Sequence, residues 1–214
     1  FREADNISLT CYDPRMPVDG RNLIIRAAEI LRGRYSIGQG AKIHLEKRIP
    51  SPGGLGGGSS NAAVALLGLR RLWDLRILDD ELCSLAAELG SDVPFFLYGG
   101  TAIGTGRGEI IEPVADKTAW PMIVVTPKIR VYTPKAYAAI GASSLTNEAL
   151  NRILRVCRNE AESLDPLHSV LTNDFESSVF AAFPEIGEVK RTLLDLGASN
   201  AVLSGSGASV VGIF

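Results

Sequence analysis

The spacing of apolar and polar residues divides the chain into segments of helical period and segments of strand period. Apolar residues that recur every three or four positions predict helices, and alternation or a short apolar run predicts a strand. The predicted helices cover residues 22–32, 61–73, 79–89, 133–140, 147–158 and 185–196. The predicted strands cover residues 41–49, 95–98, 101–104 and 122–126 (the last buried), with a strand–loop–strand over 203–214. Alternating helices and strands with some hairpins are typical of an α+β protein.

A mix of proline and polar residues over 113–121 predicts a domain boundary, because such a segment interrupts regular structure. We therefore expect a first domain over residues 1–117 and a second over 118–214. A chain of 214 residues is long enough for two small domains, each with its own core.

A glycine-rich segment joins the predicted strand 41–49 to the predicted helix 61–73. It consists of Pro50, Ser51, Pro52, Gly53, Gly54, Leu55, Gly56, Gly57, Gly58, Ser59, Ser60 and Asn61. Glycines let backbone N–H groups form a concave nest that a phosphate can approach, and the unpaired N–H groups of a helix start add to it. Ser59, Ser60 and Asn61 suit the helix N-cap, and the hydroxyl of Ser59 or Ser60 is a candidate ligand to phosphate or Mg²⁺. A flexible linker is the alternative, although linkers are rarely bounded by a strand end and a patterned helix.

The glycine-rich segment lacks the two common nucleotide signatures. A P-loop ends in Gly-Lys-Ser or Gly-Lys-Thr, whereas Ser59 follows Gly58, and the spaced glycines of a dinucleotide fingerprint are absent. The segment resembles instead the second motif of the GHMP kinases, which cradles ATP phosphates without that lysine. Residues 89–96 (LGSDVPFF) and 99–109 (GGTAIGTGRGE) resemble the same superfamily in order and spacing. Residues 203–209 (LSGSGAS) resemble its third, glycine-rich motif.

The resemblance implies a two-domain GHMP kinase fold with the active site in the interdomain cleft, and ATP with Mg²⁺ as the phosphate donor. The triple glycine followed by Ser-Ser-Asn-Ala-Ala is most similar to the branch that phosphorylates the 2-hydroxyl of 4-diphosphocytidyl-2-C-methyl-D-erythritol in non-mevalonate isoprenoid biosynthesis. Another small-alcohol kinase, of homoserine or mevalonate type, and a non-catalytic nucleotide-binding relative stay open as alternatives.

The resemblance also implies a catalytic role for Asp92, as the base that orients and deprotonates the acceptor hydroxyl. Its neighbours over 93–96 are apolar, and we expect them to limit solvent around the carboxylate. Without the resemblance, an aspartate that follows Gly90 and Ser91 is more simply a turn residue.

The remaining site residues are also implied by the resemblance. Thr133 and Tyr137 are similar to residues that shape a cytidine pocket, where an aromatic face would stack on cytosine, although a core-facing tyrosine is equally consistent. Asn22 and Lys47 resemble residues on the adenine side, and a solvated strand-end charge is the alternative for Lys47. Gly205, Ser206 and Gly207 form either a hairpin or a second glycine nest, and we expect the nest to converge on the same ligand as the first.

Two segments of the family pattern are absent from this sequence. They are a Lys-Ile-Asn-Leu motif, whose lysine is a catalytic partner, and an Asp-Gly-Tyr-His segment that helps hold cytosine. The chain opens at Phe1, in what resembles the middle of the family's first domain. We therefore expect a fragment that alone is nearly silent, because less positive charge stabilises the transferring phosphoryl group.

Composition changes this picture little. A net charge of −2 gives no basic excess for a nucleic-acid partner. The three cysteines, Cys11, Cys83 and Cys157, are odd in number and far apart, which favours a reducing compartment over a disulfide framework. No apolar run approaches the ~18 residues that span a bilayer. We expect a cytoplasmic enzyme, or one of the plastid stroma, that acts on a small molecule and has neither a nucleic-acid nor a membrane partner.

Overall fold

The computed structural model describes residues 2–3, 5–116, 120–133, 135–136, 165 and 168–214. The chain forms two compact units, the first made of Phe1–Ile49 and Gly56–Pro113 and the second of Pro50–Leu55 and Val114–Phe214. The second unit thus takes six residues from the glycine-rich segment, in addition to the C-terminal half. The domain boundary expected at 117/118 stays a prediction.

The first unit packs helices on a small sheet. Its elements in chain order are β1 (Arg2–Glu3), β2 (Ile7–Cys11), α1 (Leu23–Arg34), β3 (Gly40–Leu45), α2 (Gly57–Leu72), α3 (Asp79–Leu89), α4 (Phe95–Tyr98), β4 (Thr101–Thr105) and β5 (Ile110–Val114). The sheet order is β1-β3-β2, with β2 parallel to β3 and β1 antiparallel to it, and β4 pairs with β5. Because β2 and β3 are parallel, α1 forms the crossover between them.

Helices α1, α2 and α3 bury their apolar faces together. Leu31, Leu66, Leu82 and Leu85 are almost wholly buried in this core, and Val93 closes it after α3. Leu82 and Leu85, three positions apart in α3, follow the three-to-four residue period of an amphipathic helix. This shared core holds α1, α2 and α3 together.

The second unit is built on an antiparallel sheet of order β6-β8-β7, where β6 is Met122–Val125, β7 is Asn200–Leu203 and β8 is Val210–Ile213. Two helices, α5 (Phe175–Ala182) and α6 (Pro184–Asp195), precede β7. Val179, Ile186, Leu193, Leu203 and Val210 form its core. The tight connection from β7 to β8 consists of residues 204–209, which are the third glycine motif.

Most predicted elements are present, with several differences. The helix over 79–89 and the strand over 101–104 are confirmed, and the helix expected over 185–196 is shifted by one residue. The strand–loop–strand expected over 203–214 is present but begins at Asn200, three residues earlier than predicted. The strand predicted over 95–98 is wrong, because these residues form the helix α4. Strand β6 exists, but it is not buried, since Met122, Ile123 and Val124 are about half exposed. The helix predicted over 147–158 and most of the helix over 133–140 lie outside the described residues.

Candidate active site

Helix α2 begins inside the glycine-rich segment, at Gly57 rather than at Asn61. Gly56 is its N-cap residue, with φ 64° and no side-chain cap, so Ser59, Ser60 and Asn61 do not cap the helix. The first helical hydrogen bond joins Ser60 N–H to the Gly56 carbonyl at 2.9 Å. The N–H groups of the three preceding helical residues therefore have no acceptor within the helix, and they carry the positive end of its dipole. This arrangement suits an anion.

The glycines at the start of α2 face different surroundings. A Cβ atom on Gly57 would lie 2.8 Å from Lys47 Nζ and 2.9 Å from Ile49 Cγ2. A Cβ atom on Gly58 would meet none of the described residues within 4 Å. Left-handed backbone in this segment occurs at Gly54 and Gly56 and not at Gly57. Gly57 is thus required by packing against the protein, whereas Gly58 leaves its outer side open to a ligand.

Lys47 lies beneath this helix start, against Gly57. Its Nζ is buried and finds no hydrogen-bond acceptor among the residues that the structure describes. Burial lowers the pKa of the Lys47 ammonium, and the nearby Cys11 thiol opposes that effect. Because a buried ammonium without a partner is costly, the site is preset for an anion that would pair with it.

Asp92 lies in the turn between α3 and α4. Val93 and Pro94 after it are fully buried, but Asp92 itself is exposed, so the expectation that its neighbours limit solvent around the carboxylate is wrong. The Phe96 ring lies 2.5 Å from the Cβ position of Gly56. Phe96 therefore anchors the segment that carries Asp92 beside the start of α2.

In the second unit, Gly53 and Gly54 pack directly on the connection between β7 and β8. Ser204 Oγ donates to the Gly54 carbonyl at 2.9 Å, and Ser209 N–H donates to the Gly53 carbonyl at 3.1 Å. A Cβ atom on Gly54 would lie 2.0 Å from the Ser204 carbonyl oxygen. The structure therefore brings the first part of the second glycine motif against the third, and their convergence on one ligand stays a prediction.

Residues 204–209 also connect to the start of the helical segment at 133. The hydroxyl groups of Thr133 and Ser206 are 3.0 Å apart. Gly205 and Gly207 have φ values of 52° and 91°, a conformation that glycine adopts without strain. Thr133 and the three residues Gly205, Ser206 and Gly207 thus form one group, while Tyr137 lies outside the described residues.

Asn22 and His44 are engaged within the first unit. The Asn22 side chain accepts from Ile24 N–H at 3.0 Å as the N-cap of α1, and it donates to the Pro17 carbonyl at 2.7 Å. His44 Nδ1 lies 2.8 Å from Thr10 Oγ1. A cavity of about 730 Å³ runs along β3 and α2, and of the predicted site residues only Asn61 lines it.

Sequence reasoning missed several contacts that shape the site. Phe96, Ile49, Ser204 and Ser209 hold the glycines in place. Phe96, Ser204 and Ser209 lie in the motifs quoted from the sequence, but their contacts with the glycines are long-range and leave no local signal. Cys11 and Cys83 are free thiols, whereas Cys157 lies outside the described residues. Within the described ranges, no group of three His, Cys, Asp or Glu side chains could hold a metal ion, and no helix is long and apolar enough to cross a membrane.

Comparison with known proteins decides the family. The model of the GHMP kinase N-terminal domain matches residues 22–100, and that of the GHMP kinase C-terminal domain matches residues 146–214. The chain belongs to the GHMP kinase family. The N-terminal match contains the glycine-rich segment and Asp92, and the C-terminal match contains the connection between β7 and β8.

The chain is similar to several curated GHMP kinases. It is 42% identical over 216 residues to the 4-diphosphocytidyl-2-C-methyl-D-erythritol kinase of Synechococcus sp., with 97% of this chain and 70% of the relative covered. It is 38% identical to the enzyme of the same name from Shouchella clausii, with 100% and 71% covered. These relatives and the family models make the protein a small-molecule kinase.

Solved structures agree with this fold. A crystal structure of 4-(cytidine 5'-diphospho)-2C-methyl-D-erythritol kinase is 35% identical, with a TM-score of 0.70 over 100% of this chain and 75% of that one. A homoserine kinase from Cytophaga hutchinsonii has a TM-score of 0.71 at 21% identity, over 100% of this chain and 73% of that one. The second likeness extends to the fold alone.

Proposed function

We propose that this kinase transfers the γ-phosphoryl group of ATP to the 2-hydroxyl of 4-diphosphocytidyl-2-C-methyl-D-erythritol. The observation that carries the phosphoryl-transfer part is the start of α2. Uncapped N–H groups, an open side at Gly58 and a Lys47 ammonium without a partner among the described residues occur together there. The choice of acceptor is supported by relatives of that name at 36–42% identity.

The phosphate chain of ATP is assigned to the glycine-rich segment. Phosphoryl transfer depends mainly on positioning and on neutralising charge, so backbone N–H groups and one ammonium are suitable contributors. Gly58 admits phosphate oxygens, the N–H groups of the first turn donate to them, and Lys47 supplies a positive charge from beneath. Asn22 retains its assignment to the adenine side, whereas Lys47, expected there from the sequence, is assigned to the phosphates because it lies against Gly57.

Asp92 is assigned the role of the base that accepts the proton of the acceptor hydroxyl. As the acceptor oxygen forms its bond to the γ-phosphorus, the bond from that phosphorus to the β–γ bridging oxygen breaks and ADP leaves. The proton of the acceptor hydroxyl passes to the Asp92 carboxylate. Exposure of Asp92 in its turn leaves the carboxylate accessible to an alcohol.

Mg²⁺ is assigned to the nucleotide phosphates with help from the Ser59 or Ser60 hydroxyl. When bound, it neutralises charge on the phosphates. Mg²⁺ keeps several waters and commonly uses one or two carboxylates plus substrate phosphates. The described residues hold no cluster of acidic ligands, so the donors that this chain offers suit a metal held mainly by the nucleotide.

The acceptor is assigned to the group formed by Thr133, Gly205, Ser206 and Gly207, and to Tyr137, which lies outside the described residues. The hydrogen bond between Thr133 and Ser206 links the two parts of this group. Thr133 is exposed and can be reached by a polar acceptor, whereas Ser206 is buried behind it. The proposal includes a small-molecule acceptor rather than nucleic acid or membrane, and it retains the cytoplasmic or plastid location expected from the sequence.

A steady-state assay of ADP release tests the proposal. We expect turnover with the cytidyl alcohol and none above background with homoserine or mevalonate. Preference for one of the latter two would overturn the acceptor assignment and leave the kinase assignment intact. ATP binding without turnover on any of the three would favour a non-catalytic nucleotide-binding relative.

A further inference from the structure

Asn173, just before α5, uses its whole side-chain amide on backbone groups. Its Nδ2 donates to the Leu203 carbonyl at 2.7 Å and to the Gly205 carbonyl at 2.8 Å. Its Oδ1 accepts from Phe175 N–H at 2.9 Å. One residue thus holds the helix start on one side and the connection between β7 and β8 on the other.

Glu176, in the first turn of α5, holds the same connection from a second direction. Its Oε1 accepts from Leu203 N–H at 2.9 Å, and its Oε2 accepts from Lys190 Nζ at 2.6 Å. Both side chains of this ion pair are mostly shielded from solvent. Asn173 and Glu176 therefore bind the carbonyl and the N–H of the same residue, Leu203.

The spacing of Asn173 and Glu176 is that of a capping box, but the contacts are different. In a capping box the glutamate reaches back to the N–H of the cap residue and serves only the helix. Here Glu176 reaches the last residue of β7 instead. Helix capping therefore does not account for this glutamate, because the group that it satisfies belongs to the third glycine motif.

The residues that follow Leu203 contact the glycine-rich segment (residues 50–61), called the phosphate segment below because the proposed function assigns the ATP phosphates to it. Ser204 Oγ donates to the Gly54 carbonyl, and Ser209 N–H donates to the Gly53 carbonyl. Between them lie Gly205 and Gly207, whose backbone freedom makes the connection costly to order unless it is anchored. A continuous series of contacts thus runs from α5 through Leu203 and Ser204 to Gly54.

We propose that Asn173 and Glu176 are positioning residues for ATP, which act on the phosphate segment through residues 203–209 without touching the nucleotide. This role rests on the proposed function. Anchoring Leu203 fixes where Ser204 and Ser209 present their donors, and those donors fix Gly53 and Gly54 in the conformation that receives phosphate. Loss of the hydrogen bonds from Asn173 and Glu176 to Leu203 should lower the affinity for ATP more than it lowers the rate of the chemical step.

Asn173→Asp separates this role from helix capping. The aspartate retains an oxygen for Phe175 N–H but loses both donations to the β7–β8 connection. We expect the Kd for a non-hydrolysable ATP analogue, measured by calorimetry, to rise about tenfold or more, because small misplacements of binding groups are expensive. Amide hydrogen exchange over residues 204–209 should accelerate by a similar factor, while α5 keeps its protection.

At Glu176, a conservative substitution should preserve the ATP affinity that a truncation loses. Glu176→Gln keeps an oxygen for Leu203 N–H and should retain near-normal ATP affinity, whereas Glu176→Ala should weaken it. Lys190→Met, which removes only the ion pair, should behave like Glu176→Gln. Asp174→Asn is the matched control, because Asp174 is exposed and makes no capping hydrogen bond.

The outcomes separate this proposal from the proposed function. If wild-type protein binds no ATP analogue, the proposed function fails, and hydrogen exchange still shows whether Asn173 and Glu176 order residues 204–209. Unchanged analogue affinity in Asn173→Asp with normal exchange over 204–209 would overturn the positioning role. A lower kcat at unchanged Kd and KM for ATP would also overturn it, since that pattern indicates a merely structural defect.

Discussion

At the scale of single residues, Lys47 carries a positive charge at the candidate site that the described residues do not neutralise. Its ammonium is buried without an acceptor among the described residues, and burial lowers its pKa from the ordinary 10.5. Burial of the ammonium destabilises the folded protein in the absence of ligand. This destabilisation is fully present below the folded-state pKa and is lost as pH rises towards 10.5. An anion that pairs with Lys47 would remove the same penalty.

The pH dependence of ATP affinity tests this role of Lys47. ATP binding favours the protonated ammonium, so affinity should fall as pH rises through the Lys47 pKa, in a window that begins below 10.5. Lys47→Met should bind more weakly and lose that part of the pH dependence. Calorimetric titration of both proteins at several pH values makes the comparison, and identical profiles would contradict the assignment.

Asp92 gives a second prediction at this scale. Asp92→Asn should lower kcat by about 10²–10⁴ while ATP still binds, because a general base is lost and the phosphate segment is intact. Asp80→Asn, at an exposed position in the first turn of α3, is the control and should retain activity. Turnover of Asp92→Asn within a few-fold of wild type would make Asp92 a turn residue.

At the scale of elements, the start of α2 explains which parts of the site the sequence predicts. The glycines and the helix after them form a local pattern, so a candidate anion site is visible in the sequence. The position of the helix start is not, because Ser59, Ser60 and Asn61 have cap chemistry whereas the cap is Gly56. The Phe96 ring lies against Gly56, and residues 95–98 form a helix despite their aromatic content, so local preference does not decide either element.

This geometry changes which glycine tests phosphate approach. A side chain at Gly57 would clash with Lys47 and Ile49, so Gly57→Val would report packing as well as binding. Gly58 and Gly68 both lie in α2, and a Cβ atom at either meets nothing within 4 Å. Gly58→Ala should therefore weaken ATP binding by about tenfold or more, which corresponds to ~1.4 kcal/mol.

Gly68→Ala is the matched control for this prediction. Both alanines should leave folding intact and favour the helix, by up to about 1 kcal/mol each. Calorimetry should then show weaker ATP binding for Gly58→Ala alone, whereas unfolding in denaturant should show that neither variant loses stability. Equal ATP affinity in the two variants would remove Gly58 from the phosphate site.

At the scale of the whole molecule, the glycine-rich segment is divided between the two compact units. Pro50–Leu55 belongs to the second unit by its contacts with residues 204–209, whereas the chain from Gly56 onward belongs to the first. No local pattern predicts this division, because it depends on contacts between residues about 150 positions apart. The family resemblance did predict the two-domain α+β fold, and convergence of the two glycine motifs on one ligand stays a prediction.

Stability of the second unit should depend on Gly54. Gly54 has φ 72°, and its Cβ position is 2.0 Å from the Ser204 carbonyl oxygen. Gly197→Ala is a matched control, since Gly197 has φ 98° and no atom within 4 Å of its Cβ position. Gly197→Ala should cost about 1–3 kcal/mol from strain alone, and Gly54→Ala should cost clearly more. Thermal unfolding of the two variants measures the difference, and equal losses would contradict the contact.

Gly54 and Gly57 also differ in how a lineage could ever replace them. The obstacle at Gly57 consists of two side chains, Lys47 and Ile49, and prior mutations at those positions would make room for a methyl group. The obstacle at Gly54 is the main-chain oxygen of Ser204, which every amino acid carries. Replacement of Gly57 therefore depends on whether positions 47 and 49 mutate first, which is a case of epistasis. At Gly54 no change of another side chain would make room for a Cβ atom.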